Sequence, residues 1–146
     1  MVNDQKIAVV TGGASFIGSH MVDLLLSRGM TVRVADDLSG HFVRNLAQHA
    51  DNPLLTLEEK NILELSPSSA LFSDAHYVFH FAGKGDIVPS IDNPELYMNT
   101  NVLGTVKVLE CARQSSCLEK FVYAASSSYY GLATAPMSEA HQISPQ

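Results

Sequence analysis

The sequence predicts an α/β protein with a doubly wound parallel sheet, that is, a sheet with helices on both faces. Short apolar, β-branched runs alternate with segments of helical spacing along most of the chain. This alternation is typical of parallel strands joined by right-handed crossovers. A glycine-rich turn follows the first apolar run, where open α/β sheets bind ligands. The pattern favours the strand order 3-2-1-4-5.

Strands and helical segments are predicted in strict alternation. The strands are expected at 6–11, 31–36, 54–62, 76–83 and 118–126. The helical segments are a helix between the glycine turn and Gly29, a short helix at 42–50, a capped turn at 66–72 with Ser66 as N-cap, and a long helix at 93–114. After Gly131 we expect only surface loop. Residues 1–146 are expected to form one domain.

Composition and charge exclude several classes of protein. The chain has 146 residues, of which 46% are hydrophobic and 16% charged, as in a globular domain. It has no apolar run of ~18 residues, which a membrane span requires, and its net charge of −6 argues against a nucleic-acid groove. Cys111 and Cys117 lie outside any CxxC or Cys/His cluster. We therefore expect reduced thiols, no metal site and a cytoplasmic protein.

The stretch TGGASFIGSH carries the spacing Gly12-x-x-Ser15-x-x-Gly18 between a predicted strand and a predicted helix. In dinucleotide-binding turns the first glycine allows the tight turn, the middle one lets the backbone approach a pyrophosphate, and the last lets helix and strand pack closely. Ser15 occupies the middle position. Its side chain would keep the backbone away from the pyrophosphate, at a cost of about 1 kcal/mol or more in binding, but its hydroxyl could donate a hydrogen bond to a phosphate. The alternative is a turn that binds no ligand.

Asp36 ends the second predicted strand, 18 residues after Gly18. A carboxylate at this position accepts hydrogen bonds from the adenosine ribose and repels a 2′-phosphate, which favours NAD over NADP. Asp37 adds a second negative charge. The alternative is that Asp36 only caps the following turn.

Longer blocks of the chain resemble the extended short-chain dehydrogenase/reductase family, the NAD-dependent nucleotide-sugar epimerases and dehydratases of the UDP-glucose 4-epimerase type. The blocks are VADDLSG, YVFHFAG, NPELYMNTNVLGTVKVLECAR and KFVYAASSSYYG, in this order and spacing. The resemblance implies a Rossmann-like fold, NAD as cofactor, a nucleotide sugar (a UDP-sugar above all) as substrate, and a homodimer.

The resemblance also assigns residues to the cofactor. It assigns the pyrophosphate to Gly12, Ser15, Phe16, Ile17 and Gly18, and the adenosine ribose to Asp36, Asp37 and Ser39. It assigns the adenine ring to Asn61 and Ile62, although the family more often has Asp at the first position. It assigns the nicotinamide ribose to Phe81, Ala82 and Gly83, and it gives Asn101 the role of bracing the active-site strand. Lys84 departs from the common pattern and receives no contact.

Ser126 matches the catalytic Ser/Thr of the family, four residues before Tyr130. A hydroxyl at the carboxyl end of the fifth strand can hydrogen-bond a reacting oxygen. The alternative is that Ser126, Ser127 and Ser128 only form a loop. His80, inside a predicted buried strand, is interpreted as a hydrogen-bonded core histidine rather than an acid or base.

The catalytic Tyr-x-x-x-Lys pair of the family does not occur in these residues. In the family the Tyr is the general acid/base and the Lys lowers its pKa, whereas none of the five tyrosines here has Lys four residues on. Family spacing would put the pair just after residue 146. We therefore expect an incomplete, truncated NAD-binding domain that is inactive alone. The alternatives are an NAD-binding sensor or regulatory module without turnover, and a degenerate fold used only for assembly.

The predicted helix 93–114 carries more apolar side chains than one face of a sheet covers. In the family this helix pairs with the later Tyr-Lys helix to form a dimer through a four-helix bundle. We therefore expect an exposed apolar patch and self-association. The patch would consist of Leu96, Val102, Leu103, Val106 and Leu109.

Overall fold

A computed structural model describes residues 5–40, 42–132 and 135–145 and has a five-stranded parallel sheet at its centre. The strands are β1 (Ile7–Thr11), β2 (Thr31–Asp36), β3 (Leu55–Glu59), β4 (Tyr77–His80) and β5 (Lys120–Tyr123). They lie side by side in the order β3-β2-β1-β4-β5, and every pairing is parallel. The predicted fold class and strand order are confirmed. Residues 133–134 and 146 of the loop predicted after Gly131 lie outside the described residues.

The sheet is buried on both faces because its central strands are almost wholly apolar. Ala8, Val9 and Val10 of β1 have no exposed surface, which is the pattern of a strand covered by helices on both sides. Val9 packs in one cluster, with Val78 of β4 and Val108. Ala8 and Val10 pack in the other, which includes Val22, Leu25 and Leu26 of the first helix.

Helix α1 (Phe16–Ser27) begins directly after the glycine turn, as predicted. Ser15 is its N-cap, and the Ser15 hydroxyl accepts a hydrogen bond from the Gly18 N–H. Gly29, at φ +73°, follows the end of the helix, where the left-handed conformation is easiest for glycine. The predicted start of this helix after the glycine turn and its predicted end before Gly29 are both confirmed.

The segments that connect β2 to β3 and β3 to β4 form 3₁₀ helices rather than the predicted helix and longer turn. The segment 42–50 forms a 3₁₀ helix, Val43–His49, and β3 ends at Glu59 rather than at residue 62. The predicted capped turn at 66–72 is wrong in its start: the 3₁₀ turn is Ala70–Phe72, and Ser69 precedes it. Ser66 instead opens a separate tight turn, in which its carbonyl accepts from the Ser69 N–H.

The predicted helix 93–114 is one helical run of changing pitch, preceded by a short helix that was not predicted. Helix α2 (Ile87–Asp92) is followed by α3 (Pro94–Tyr97), a π-helical turn (Met98–Gly104) and α4 (Thr105–Ala112). Asn93 separates α2 from α3, because its side chain accepts from the Leu96 N–H and Pro94 starts the new helix. Strands β4 and β5 are likewise shorter than predicted, so residues 81–83 and 124–126 follow the strands.

Two further features lie outside this layered core. Ser127–Tyr130 forms a 3₁₀ turn after β5, and residues 131–132 and 135–145 contain no helix or strand. Among the residues that the structure describes, no helix is both long enough and apolar enough to cross a membrane.

Candidate functional site

A cleft of about 600 Å³ opens at the carboxyl edge of the sheet. It is lined by residues that follow β1, β2, β3 and β4 in turn, which is where doubly wound sheets bind ligands. Most of the predicted cofactor residues share this cleft: Gly12, Ser15, Asp36, Asp37, Ser39, Asn61, Ile62, Phe81, Ala82 and Gly83. Phe16, Ile17, Gly18, Asn101 and Ser126 do not line it.

Two glycines of the turn are required by close backbone contacts. Gly12 has φ +69°, and a Cβ on it would lie 2.6 Å from the backbone nitrogen of Ala82. A Cβ on Gly18 would lie 2.1 Å from the carbonyl oxygen of Gly12. Gly12 therefore makes the tight turn and Gly18 lets α1 pack onto it, as the motif predicts.

The middle position of the motif does not need glycine in this backbone. Ser15 has φ −67° and ψ 173°, an extended conformation that any residue adopts. Its hydroxyl donates to the Gly12 carbonyl at 2.6 Å while accepting from the Gly18 N–H at 3.4 Å. The single hydroxyl hydrogen is therefore used inside the turn, and donation to a phosphate would require the hydroxyl to rotate.

Phe16 and Ile17 do not line the cleft, and their assignment to the pyrophosphate stays a prediction. The side chains face outward, with 74% and 61% of their surface exposed. Both residues lie in the first turn of α1, where backbone N–H groups lack intrahelical acceptors and the helix dipole favours an anion.

Asp36 closes the turn and lines the cleft at the same time. One carboxylate oxygen accepts from the Ala14 N–H at 2.9 Å, which ties the glycine turn to the end of β2. The other accepts from the Leu38 N–H at 2.9 Å. Each carboxylate oxygen can accept a second hydrogen bond. Asp36 can therefore cap the following turn and still accept hydrogen bonds from a ribose, so the two interpretations from the sequence do not exclude each other.

The neighbouring acid, Asp37, is held by three hydrogen bonds. One oxygen accepts from the N–H and the hydroxyl of Ser39, at 3.0 and 2.6 Å. The other accepts from the side-chain amide of Asn61 at 3.1 Å. Asn61 also accepts from the Leu63 N–H at 2.9 Å. A carboxylate in place of Asn61 would face Asp37 as a like charge, so the departure from the family pattern suits its neighbour.

The third part of the cleft follows β4. The Phe81 N–H donates to the Thr11 carbonyl at 3.0 Å, and the Ala82 N–H approaches the Thr11 hydroxyl at 3.4 Å. After Gly83, the side chain of Asn101 makes two hydrogen bonds with the backbone of Lys84. It accepts from the Lys84 N–H at 2.8 Å and donates to the Lys84 carbonyl at 2.9 Å. Asn101 therefore braces the cleft wall from behind.

His80 is buried directly below this wall, with 1% of its surface exposed. Its Nδ1 lies 2.5 Å from the Thr11 hydroxyl and its Nε2 lies 2.9 Å from the Thr105 hydroxyl. Burial lowers the pKa of His80 from 6.5 to about 4, because a charged imidazolium is costly away from water. His80 is thus the hydrogen-bonded core histidine that the sequence predicted.

Ser126 lies apart from the cleft and is exposed. It follows β5 by three residues and precedes the 3₁₀ turn Ser127–Tyr130. Its hydroxyl accepts from the Ser128 N–H at 3.2 Å and lies 2.8 Å from the Ser128 hydroxyl. These contacts match the loop-forming alternative, and they leave the catalytic assignment a prediction.

Several lining residues were not predicted from the sequence. They are Ala35, Gly40, Phe42, Lys60, Lys84, Gly85, Asp86, Pro89, Asp92, Asn93, Leu96, Tyr97 and Thr100. Many of them belong to the segment 84–100, whose short helix α2 had no clear signal. The position of that segment directly after the fourth predicted strand was the one available clue, because strand ends line such clefts.

The cleft residues fit a dinucleotide. Glycine at positions 12 and 18 lets the turn pack closely against residue 82 and against α1, and the first N–H groups of a helix suit an anion. Asp36 has unused acceptor capacity for ribose hydroxyls at the next strand. The lining comes from residues that follow four different strands, and dinucleotides bind across strand ends of such sheets.

Comparison with known proteins agrees with this geometry. Residues 9–146 match the family model for GDP-mannose 4,6 dehydratase. The bifunctional UDP-glucose 4-epimerase and UDP-xylose 4-epimerase 1 of Pisum sativum is 34% identical over 142 residues, covering 90% of this chain and 39% of that protein. The chain therefore spans about two fifths of the length of this relative.

Solved structures of epimerases have the same fold. The UDP-N-acetylglucosamine 4-epimerase of Methanobrevibacter ruminantium, in complex with UDP-N-acetylmuramic acid, superposes with a TM-score of 0.83 and 29% identity, over 97% of this chain and 44% of that one. The UDP-glucuronic acid 4-epimerase of Bacillus cereus, in complex with UDP-glucuronic acid and NAD, gives 0.84 and 27%, over 95% and 46%. This chain therefore belongs to the GDP-mannose 4,6-dehydratase family, the nucleotide-sugar epimerases and dehydratases among the extended short-chain dehydrogenases/reductases.

Proposed function

We propose that this chain is the NAD-binding part of a nucleotide-sugar epimerase or dehydratase that acts by transient hydride transfer. The observation that supports this most is the convergence of the glycine turn, Asp36 and the segment 81–83 on one cleft. The NAD in the related Bacillus cereus structure supports the choice of cofactor. The described chain would then be a single NAD-binding domain.

Each part of the cleft has a role in this proposal. The glycine turn and the first N–H groups of α1 would hold the pyrophosphate. Asp36 and the Asp37–Ser39 pair would hold the adenosine ribose, and Asn61 and Ile62 would flank the adenine. Because a 2′-phosphate would meet two carboxylates, NAD would be preferred over NADP.

The chemistry would need groups beyond the cofactor contacts. When bound, NAD would supply the acceptor for a hydride from the sugar carbon that bears the reacting hydroxyl. The Ser126 hydroxyl can hydrogen-bond that sugar oxygen, but its own pKa is too high for it to take the proton at neutral pH. Since no Tyr-x-x-x-Lys pair occurs in these residues, we propose that they bind NAD without turnover when isolated. Losing a positioned general base costs about 10²–10⁴ in rate.

We also propose a substrate, an oligomeric state and a cellular location for the protein. A UDP-sugar is the proposed substrate, because the related epimerases are named for or bound to UDP-sugars. A homodimer is proposed from the exposed apolar face of the helical run 94–112. Both cysteines are free thiols, which supports a reducing, cytoplasmic compartment.

The direct test is titration of the purified 146-residue chain with NAD and NADP, followed by calorimetry. We expect NAD to bind more tightly, and we expect Asp36→Asn to narrow the gap between the two because it removes the charge that repels the 2′-phosphate. Asp92→Asn removes a carboxylate that lines the cleft but follows β4 rather than β2; it is the matched control and should leave the preference unchanged. Tighter binding of NADP by the unmodified chain would contradict the proposal.

A second assay separates the enzyme from a sensor. The protein translated from its whole reading frame should interconvert or dehydrate a UDP-, GDP- or dTDP-sugar, and Ser126→Ala should abolish this activity. NAD binding without any such turnover by that protein would favour a sensor or regulatory module instead.

A further inference from the structure

The hydrogen bonds around His80 have one consistent direction. The Thr105 hydroxyl donates its single hydrogen to the Asn101 carbonyl at 2.7 Å, so it must accept from His80 Nε2–H at 2.9 Å. In neutral histidine the other ring nitrogen is then an acceptor. The Thr11 hydroxyl therefore donates to His80 Nδ1, and its oxygen remains free to accept from the Ala82 N–H at 3.4 Å.

Both ends of this chain of hydrogen bonds reach the wall of the cleft that follows β4. At one end, Thr11 contacts the Ala82 N–H, which is the atom closest to the missing Cβ of Gly12. At the other end, the Thr105 hydroxyl donates to the carbonyl of Asn101. The Asn101 side chain in turn makes two hydrogen bonds with the backbone of Lys84. The imidazole of His80 thus connects the hydroxyl that contacts Ala82 with the residues that hold Lys84.

The connection depends on burial and on the irregular helix. Thr11 is fully buried and His80 nearly so, so water does not compete for the bond between them. In the described residues, no buried side-chain nitrogen or oxygen lacks a hydrogen-bond partner. Asn101 lies in the π-helical turn Met98–Gly104, and π-helical turns in longer helices often lie at functional sites.

We propose that His80 is a positioning residue, whose neutral Nε2–H form fixes the segment 82–84 for the nicotinamide half of the dinucleotide. The inference depends on the proposed NAD binding and adds to it a residue that touches no ligand. A histidine that only filled space would stabilise the fold without favouring one half of the ligand over the other. The two roles therefore differ in which ligand loses affinity.

Two variants interrupt the same bond from opposite sides. In His80→Asn the shorter amide reaches the position of Nδ1 and keeps the contact with Thr11, but it cannot reach Thr105. Thr105→Val keeps the shape of the side chain and removes the hydroxyl. The control is Phe72→Leu, an apolar change at a buried position outside the cleft, which should lower stability without touching the network.

The experiment measures the dissociation constants of NAD and AMP for the 146-residue chain and these variants. We expect His80→Asn and Thr105→Val to weaken NAD binding by roughly five- to tenfold, the effect of one hydrogen bond. AMP, which occupies only the adenosine half, should change by less than about twofold, and Phe72→Leu should change neither constant. Equal losses for both ligands, or no loss for NAD, would overturn the positioning role.

A ligand-free measurement distinguishes failure of this inference from failure of NAD binding. Amide hydrogen exchange by NMR should be faster at Lys84 in both network variants than in the unmodified chain, because both lose the bond between His80 and Thr105. Unchanged exchange at this amide would refute the inference whatever the ligand. If the unmodified chain bound neither NAD nor AMP, the proposed function would fail, and the exchange rates would still decide whether His80 orders the segment.

Discussion

At the scale of single residues, Ser15 explains how a dinucleotide turn tolerates a side chain at its middle position. Its backbone is extended, and its hydroxyl joins the Gly12 carbonyl to the Gly18 N–H. The side chain thus supports the turn itself, a role different from the loss of close approach and the phosphate donation that the sequence suggested. Glycine has no advantage of backbone conformation there. Under the proposed NAD binding, the remaining cost is the volume of one Cβ and one hydroxyl beside the pyrophosphate.

Replacement of Ser15 tests whether this hydroxyl serves the fold or the ligand. Ser15→Gly should leave NAD affinity unchanged or raise it, because the backbone could then approach the pyrophosphate more closely. It should lower the free energy of unfolding by only a few tenths of a kcal/mol, as glycine is a fair N-cap. Calorimetric titration and urea unfolding of both proteins measure the two quantities. A large loss of affinity would instead identify the hydroxyl as a phosphate donor.

The buried imidazole makes a prediction about pH. The pKa of His80 is about 4 in the folded protein against 6.5 ordinarily, so between these values the unfolded chain binds the proton and the folded protein does not. Stability therefore falls as pH falls from 6.5 toward 4. This group alone should cost about 2 kcal/mol between pH 7 and pH 5. Urea unfolding at both pH values should show a smaller decrease for His80→Asn, and an equal decrease would contradict the assignment.

Strand ends and the family resemblance together predicted ten of the residues that line the cleft, but neither the segment 84–100 nor the bonds behind the cleft. Gly12 and Asp36 could be placed from the residues themselves, because each lies at the end of a strand that the apolar pattern revealed, whereas Ala82 was assigned by the resemblance. The role of Thr105 could not be predicted, because a hydroxyl inside a helix carries no periodic signal and its partner is 25 residues away. The hydroxyl of Ser126 remains a prediction by resemblance.

At the scale of elements, the joint between β1 and α1 is the least tolerant part of the fold. Gly18→Ala would push a Cβ into the Gly12 carbonyl at 2.1 Å, and two backbone segments would have to separate. Gly29→Ala, at the other end of the same helix, meets no atom within 4 Å and has only its positive φ against it. We expect a loss of about 1 kcal/mol for Gly29→Ala and a loss of more than about 3 kcal/mol for Gly18→Ala.

Unfolding of the two glycine variants in urea provides the comparison. Each protein should also be titrated with NAD, since the Gly18 variant distorts the turn and the Gly29 variant leaves it intact. Equal losses of stability for the two changes would show that the turn can open to admit a Cβ. The prediction about the joint would then be wrong.

Element types were predictable where a pattern persists for several turns, and not where single side chains redirect the backbone. The five strands and α1 follow from buried apolar runs and clear caps. The break at Asn93 and the π-helical turn depend on side chains that take over backbone partners, as when the Thr105 hydroxyl donates to the Asn101 carbonyl. Such competition bends or widens helices without changing their hydrophobic period.

At the scale of the whole molecule, the helical run 94–112 leaves an apolar face uncovered, as predicted. Val102, Val106 and Leu109 lie at helical spacing and are 50%, 49% and 45% exposed, and Leu103 is exposed as well. Leu96 is exposed too, but it lines the cleft. A group of exposed apolar side chains on one helix marks an interaction site or promotes association. It lies on the helix for which the family resemblance implies a role in dimer formation.

Light scattering over a range of concentrations tests the association. The 146-residue chain should form dimers or larger species, and Val102→Lys with Val106→Lys should shift it toward the monomer, because burying two charges in the contact is costly. Leu24→Lys, on the exposed side of α1, is the matched control and should leave the mass unchanged. A clean monomer of the unmodified chain at high concentration would contradict the prediction.

The strand order also has a consequence for the route by which the cleft is assembled. Ile7 pairs with Thr31, whereas Ala8 pairs with Tyr77 far along the chain. Closing the longer loop costs more chain entropy, so pairing of β1 with β2 is entropically easier than its pairing with β4. The cleft lies across this later seam, with Gly12 on one side and Ala82 on the other. A dinucleotide bound across it would therefore couple the two halves of the sheet and raise the free energy required to separate them.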